Sequence, residues 1–456
     1  MITRRNFNKG LVSLAFGGLF THINVKGADL VNTAMDPARA YGPILPDPEG
    51  ILDLPKGFSY RVISTLGSAM SDGLKVPDRA DGMGCLPLDD DRVVLVRNHE
   101  ISPPKASAVS KLPQALASSA YDADSQGHPL PGGTSNIVYN LKTEKVEQEF
   151  MSLLGTIRNC AGGVTPWNSW LTCEESVLTA SEHIGQDHGY VFEVPAQSQG
   201  LVAPVPLKEM GRFNHEAACV DPRTGIVYMT EDRGDSLFYR FIPNVRQKLD
   251  QGGKLQALVV KSKPMFDTRN WQNPDMPLHQ EFECEWIDLE DVESPKDDLR
   301  QRGYTSGAAL FARGEGLHFG EDEMYFCCTN GGAKKLGQIM RYKPSEFEGE
   351  SAEQQSPGKL SLFVESVSEA AFNYGDNVAI APNGHLIVCE DQYSDEVNNK
   401  LRGVTTDGRL YDFAKVRWQT EPAGACFSPD GQTMFVNLYS PTLTLAITGP
   451  WDQFVG

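Results

Sequence analysis

Positive charge is scarce in this chain, long apolar runs are missing, and its cysteines follow no readable disulfide pattern. Its 41 Lys and Arg face 60 Asp and Glu, a formal charge of −19. Nucleic acid and anionic membrane surfaces are therefore excluded as expected partners, since both would repel it. The apolar run near the N-terminus, in TRRNFNKGLVSLAFGGLF, is too short to span a bilayer, and no other stretch is long and apolar enough. No stable membrane insertion is expected. Of the nine cysteines, Cys85, Cys219 and Cys426 fall at matching places in strand-like runs, as do Cys173, Cys327, Cys328 and Cys389 in the runs that follow. These read as small buried residues between packed sheets.

What the chain has instead is one phrase written six times: an apolar strand, a Pro/Asp/Gly turn and a second apolar strand ending in acids or amides. The copies are DGMGCLPLDDDRVVLVRNHE (81–100), CAGGVTPWNSWLTCEE (160–175), EAACVDPRTGIVYMTED (216–232), EGLHFGEDEMYFCCTN (315–330), DNVAIAPNGHLIVCED (376–391) and AGACFSPDGQTMFVNL (423–438). In five of the six, the first and last polar positions stand about 15 residues apart. Two strands of roughly six residues at about 3.3 Å each, joined by a short turn, bring the chain back to its starting level. A third strand follows most copies, for example SNIVYNLKT (135–143) and GQIMRYKP (337–344). Such repetition predicts an all-β fold, a six-bladed β-propeller with loop and short helical insertions. A β-sandwich with coincidental turns is the alternative, but it does not account for a repeated acid-ended phrase. FSYRVIS (58–64) is expected to join the C-terminal strands and close the ring.

In a propeller both polar ends of each phrase reach the same mouth of the central channel. One ring is then Cys160, Glu216, Glu315, Asp376 and Asn377. A second, slightly outside it, is Asn98, Glu100, Glu174, Glu175, Glu231, Asp232, Asn330, Glu390 and Asp391. That many carboxylates would repel one another unless cations lay among them. Oxygen-rich sets suit Ca2+, whereas a thiolate among carboxylates suits iron better. Cys160 is either that thiolate or a structural thiol. His99 and His215 each precede an acid in a strand, so they point to the opposite face. Arg97, Arg158, Arg212, Arg233 and Arg313 accompany the acids, and guanidinium groups among metal ligands suit a tetrahedral oxyanion.

Arg4, Arg5, Phe7 and Lys9 with the apolar run behind them resemble a twin-arginine export signal. Residues 1–28 are read as that signal, although no clean A-x-A cleavage site follows. The expected partner is then the twin-arginine export machinery, and the expected location is the periplasm or the medium. Residues 29–57, rich in Pro, Gly and Asp, read as an extended arm without regular structure. Residues 58–456 read as one domain. Within it, 245–312 holds two strand-like runs and a polar segment with helical character.

RNHE, GGTSNIVYN, RNCAGGVTPWNSWLTCEE, GRFNHEA, YMTEDRGDSLFYRF, RGEGLHF and DNVAIAPNGHLIVCED together resemble the PhoX-type alkaline phosphatases, with matching blocks from about 58 to 440. The resemblance implies an exported, monomeric six-bladed propeller that hydrolyses phosphate monoesters with Fe3+ and Ca2+. It implies iron ligands at Cys160, Glu216, Glu315 and Asp376. Calcium or bridging ligands are implied at Glu100, Glu174, Glu175, Glu231, Asp232, Glu390 and Asp391, and phosphate clamps at Arg313 and Arg233. Asn98 joins these arginines as a candidate catalytic group. Two departures stand out: Asn168 occupies the glycine expected in TPWGTW, and the sixth phrase ends in Asn437 and Leu438 without an acid, so that unit is expected to supply few ligands. The rival readings are a calcium-dependent lactonase or esterase propeller and a non-catalytic, calcium-stabilised binding propeller.

Overall fold

A computed structural model of the chain describes residue 35 and residues 40–103 and 112–456. The expected export signal lies outside the described residues. Within them, five antiparallel sheets account for nearly all regular structure, and Leu299–Thr305 is the one α-helix. No helix among the described residues is long and apolar enough to cross a membrane.

One sheet runs from Ala80–Pro87 through Arg92–His99 and Gly132–Asn140 to Lys145–Thr156. The next holds Asn159–Val164, Ser169–Glu174 and Val191–Pro195. A nine-stranded sheet starts at His215–Val220, passes outward to Phe282–Asp288, crosses to Lys359–Glu365 and returns inward to Gly314–Phe319. The crossing rests on two residue pairs, Phe282 with Leu360 and Glu283 with Lys359. A six-stranded sheet begins at Gly375–Ile380 and Leu386–Glu390, and the last holds Pro422–Phe427, Thr433–Leu438, Leu443–Thr448 and Ser59–Thr65.

The first strand of every repeated phrase packs against the first strand of the next, and Pro422–Phe427 packs back against Ala80–Pro87, closing a circle. This is a propeller-like arrangement. Its core lies between neighbouring sheets. Leu86, Val94 and Val96 meet Trp170, Tyr190 and Phe192, while Ile387 and Cys389 meet Met434 and Val436. Burial of these alternating apolar faces drives the assembly. All nine cysteines are free, and seven are buried. The inner strands enclose an axial cavity of about 430 Å³ walled largely by Gly82, Gly84, Ala161, Gly162, Gly163 and Ala217.

Ser59–Thr65 pairs with Leu443–Thr448 as the fourth strand of the last sheet, so an early segment completes the circle as expected. The arm before it is more regular than its composition suggests. Leu52–Pro55 pairs with Leu410–Val416 and Ile44–Leu45 pairs with Leu52–Pro55. The cause is local: the Asp47 carboxylate accepts the N–H groups of Ile51 (2.7 Å) and Leu52 (3.0 Å), turning the chain into the edge of a sheet.

Candidate active site

A β-bulge recurs where each phrase begins. In all six hairpins the register slips near the start of the ladder, for example between Ala80 and Met83, Asn159 and Gly162, and His215 and Ala218. Equivalent slips occur at Gly314, Gly375 and Ala423. A bulge adds one residue to one strand and re-aims its side chain. The residues so placed are Asp81, Cys160, Glu216, Glu315 and Asp376; their sequence counterpart in the sixth unit is Ala423, which stays paired with Asn437 because the slip there comes one residue later. Close packing fixes what may follow them. A Cβ at Gly82 would lie 2.5 Å from the Ala161 Cα, and one at Gly316 would lie 2.6 Å from the Asn377 Cα.

Two further rings stack on this one. Two residues before each of these positions stand Arg79, Arg158, Asn214, Arg313, Tyr374 and Glu421. Their carbonyls accept the N–H groups of Glu100, Glu175, Asp232, Thr329, Asp391 and Tyr439, at 2.8 to 3.2 Å. Arg79, Arg158, Arg313 and Tyr374 all take φ between 47° and 55°. Left-handed backbone costs a residue with a side chain about 1 kcal/mol or more. Its recurrence at one position in four units marks a place where the fold accepts strain to aim a side chain.

These rings converge on the mouth. Glu100, Cys160 and Glu175 form one group, Glu216, Glu315 and Asp376 a second, and Asp376, Asp391 and Glu421 a third, each with ligand atoms within 4.8 Å of one another. Asp232 joins them through Arg313, which grips it with two hydrogen bonds (2.7 and 2.9 Å) and reaches Glu315 at 3.0 Å. Arg158 lies between Glu100 (2.7 Å) and Glu175.

The other predicted acids are not part of the mouth, and strand alternation explains why. Glu174, Glu231 and Glu390 are the ladder partners of Asn159, His215 and Gly375, so each faces into its sheet while the next residue faces the mouth. Glu174 accepts from His188 Nδ1 (2.6 Å) and the N–H groups of Ile157 (2.9 Å) and Gly189 (2.9 Å). Tyr239 donates to Glu231 (2.7 Å), and Arg402 to Glu390 (2.9 Å). Asn98 is likewise a strut: its amide donates to the carbonyls of Cys160 (3.1 Å) and Ala161 (2.8 Å), and its Oδ1 accepts from Trp170 (2.9 Å). Arg233 reaches the Asp297 carboxylate at 3.7 Å and donates to the Asp232 carbonyl at 3.3 Å, and against burial its charge helps Arg313 to lower the Asp232 carboxyl. Arg97 and Arg212 are buried in structural contacts, Arg97 with Glu149 (2.8 Å) and Arg212 with the Val177 carbonyl (2.6 Å). His99 and His215 face inward as expected; His215 stacks on Phe213 at 3.5 Å.

Sequence reasoning missed Asp81, Arg79, Glu421 and Tyr439. One signal was present, the triplet Arg-x-(Asp, Cys or Glu) in RAD (79–81), RNC (158–160) and RGE (313–315). The sixth unit is correspondingly richer than expected, because Glu421 and Tyr439 flank the phrase that is expected to supply few ligands. Asn168 is also explained: its φ of 68° is the left-handed conformation that glycine would take.

Burial first, and then mutual charge, pushes the carboxyl groups of Asp81, Glu175, Glu216, Glu315 and Glu421 well above their ordinary range. Asp376 is pushed up to about 8 by burial and then the charge of Asp391. The Cys160 thiol rises for the same reasons, burial and then Asp81, whose Oδ2 lies 3.6 Å from Sγ. Asp232 goes the other way: burial opposes its ionisation, but the Arg313 hydrogen bonds prevail and its carboxyl is lowered. A cation fits here on independent grounds. Both oxygens of Glu216, and one each of Asp81, Asp376 and Asp391, are buried without a hydrogen-bond partner. Orphaned buried carboxylate oxygens are costly. Bound cations would satisfy them.

The sequence profile described as Alkaline phosphatase PhoX matches residues 39–130 and 128–442. A search of curated proteins finds no match. Among solved structures, PhoX of Pseudomonas fluorescens in complex with vanadate, a transition state analogue, superposes with a TM-score of 0.66 at 18% identity, over 92% of this chain and 98% of that one. XC5397 from Xanthomonas campestris, described as a gluconolactonase, gives 0.42 at 11% identity, over 90% and 98%. The first likeness is one of fold; the second is too weak to argue from. Since the profile spans every ring residue described above, the chain belongs to the PhoX family of alkaline phosphatases.

Proposed function

We propose that the mouth is the active site of a metal-dependent phosphatase acting on phosphate monoesters. The observation that carries this is the cluster of three carboxylate groups with orphaned oxygens beside two arginines, inside the family-matched segments. Cys160, Glu216, Glu315 and Asp376 would hold Fe3+, the thiolate favouring iron; Glu100, Glu175, Asp232, Asp391 and Glu421 would hold Ca2+. Such cations, when bound, neutralise phosphoryl oxygens and lower the pKa of water. The chain's own contribution is orientation and charge. Asp232 fixes the plane of the Arg313 guanidinium, leaving it to meet a phosphoryl oxygen. Arg158, held by Glu100 and Glu175, faces the same space. Both side chains keep 37% of their surface exposed, so a substrate reaches them from solvent. As negative charge moves to the leaving oxygen, preset guanidinium groups need no reorganisation.

We read the fold as six-bladed. The closed circle of inner strands supports this, as does the two-pair crossing at which the nine-stranded sheet divides into two blades. The domain is read as a monomer, exported by the twin-arginine route on the strength of Arg4 and Arg5 in the sequence.

The test is hydrolysis of p-nitrophenyl phosphate with and without a chelator, alongside elemental analysis. Iron and calcium with chelator-sensitive hydrolysis is expected. Calcium with lactone or carboxylester hydrolysis alone would favour the first rival, and calcium with no turnover the second.

A further inference from the structure

In the outer ring, four units present an acid, Glu100, Glu175, Asp232 and Asp391, and the fourth presents Thr329. The sixth presents Tyr439. This side chain is 6% exposed and its backbone is clamped at both ends, its N–H donating to the Glu421 carbonyl (3.0 Å) and its carbonyl accepting from Ala80 (3.2 Å). Its hydroxyl therefore has a fixed position, which it uses twice: it donates to Glu100 Oε2 and accepts from Arg79 Nη1 at 2.7 Å. The Arg79 guanidinium also lies over the Tyr439 ring, 5.3 Å from its centre. Arg158 Nε donates to the other Glu100 oxygen at 2.7 Å. Both oxygens of Glu100 are thus oriented, in contrast to the orphaned oxygens of Glu216.

We infer that Tyr439, itself oriented by Arg79, is a positioning residue that sets the Glu100 carboxylate for calcium binding with Glu175. The sixth unit has no acid of its own in the outer ring and serves the site through this hydroxyl. A tyrosine there also limits charge, since an acid in its place would stand against Glu100. The inference rests on reading the mouth as a metal site. Partners of this kind, behind a ligand, commonly change metal affinity about 10- to 100-fold when removed.

The experiment compares full-length protein and its Tyr439→Phe variant, as purified, during titration with EGTA, reading bound calcium and iron by elemental analysis and thermal stability in parallel. Tyr439→Phe keeps the ring and loses only the hydroxyl. It is expected to release one calcium at a chelator concentration about tenfold lower, with the remaining metal and the melting temperature in excess calcium unchanged. Arg79→Lys is expected to shift the same calcium in the same direction, and it carries the test alone if Tyr439→Phe fails to fold. Identical release curves for variant and parent would overturn the inference, and so would uniform loss of every metal with a lower melting temperature. A parent that holds no metal would refute the metal site itself, a distinguishable outcome.

Discussion

Glu174 and Glu175 are adjacent, identical in type and both buried, yet they live in opposite electrostatic worlds. Glu174 faces into its sheet, where His188 and three backbone N–H groups saturate it. Glu175 faces the mouth, where burial and the charges of Glu100 and Asp232 outweigh the help of Arg158 and raise its carboxyl well above the usual range. The pairs Glu231/Asp232 and Glu390/Asp391 share this alternation of direction but not the electrostatics: Glu231 and Glu390 each keep one buried oxygen without a partner, and burial raises the Glu231 carboxyl to about 7, whereas Arg313, against burial, lowers that of Asp232. An acid whose partners are supplied by the fold is structural; an acid surrounded by other acids awaits a ligand. The contrast lies in the partners, since burial is common to both.

The sharpest way to break this comparison is to neutralise a mouth acid. Glu216→Gln is expected to lower phosphatase turnover by more than the roughly 100-fold upper range for residues that merely support a ligand. Its melting temperature in chelator should equal or exceed that of the parent, because a buried repulsion is removed. A large loss of stability would place Glu216 with the sheet-facing acids. The converse change, Glu174→Gln, strips the counter-charge from buried His188 and should cost about 3 kcal/mol of stability, read by chemical denaturation, with metal content intact in the folded fraction. Loss of metal without loss of stability would overturn its structural role.

The smallest expected effect concerns pH. Burial lowers the His188 pKa, but Glu174 and Asp122 outweigh it and raise it to about 9. A raised folded pKa means that the native state binds the proton more tightly than the unfolded chain does. The stabilisation is therefore complete below the unfolded value of about 6.5 and is lost as pH rises through about 9. The parent should lose stability across that window in denaturant titrations, and His188→Gln should show a flatter profile.

Much of this was legible in the sequence. The sixfold phrase foretold the circle of inner strands, and FSYRVIS was correctly placed as its closing strand. Strand alternation correctly turned His99 and His215 inward, and the same rule applied to their neighbours would have turned Glu174, Glu231 and Glu390 inward too. Asn98 escaped notice as a strut because its partners, the carbonyls of Cys160 and Ala161, belong to the next hairpin. Glu421 and Tyr439 were hidden because they lie just outside the apolar phrase. A one-residue bulge that re-aims a side chain leaves no mark in hydrophobic periodicity.

The closing strand has a consequence for biosynthesis. Ser59–Thr65 is synthesised long before its partner Leu443–Thr448 and must wait for it. Until then the circle is open, and the acids from Asp81 to Glu421 cannot face one another. Non-local pairing of this kind is slow and exposes unpaired edges meanwhile. Before the last sheet is sealed the chain holds only scattered carboxylates, and the clustered mouth comes into being with that pairing.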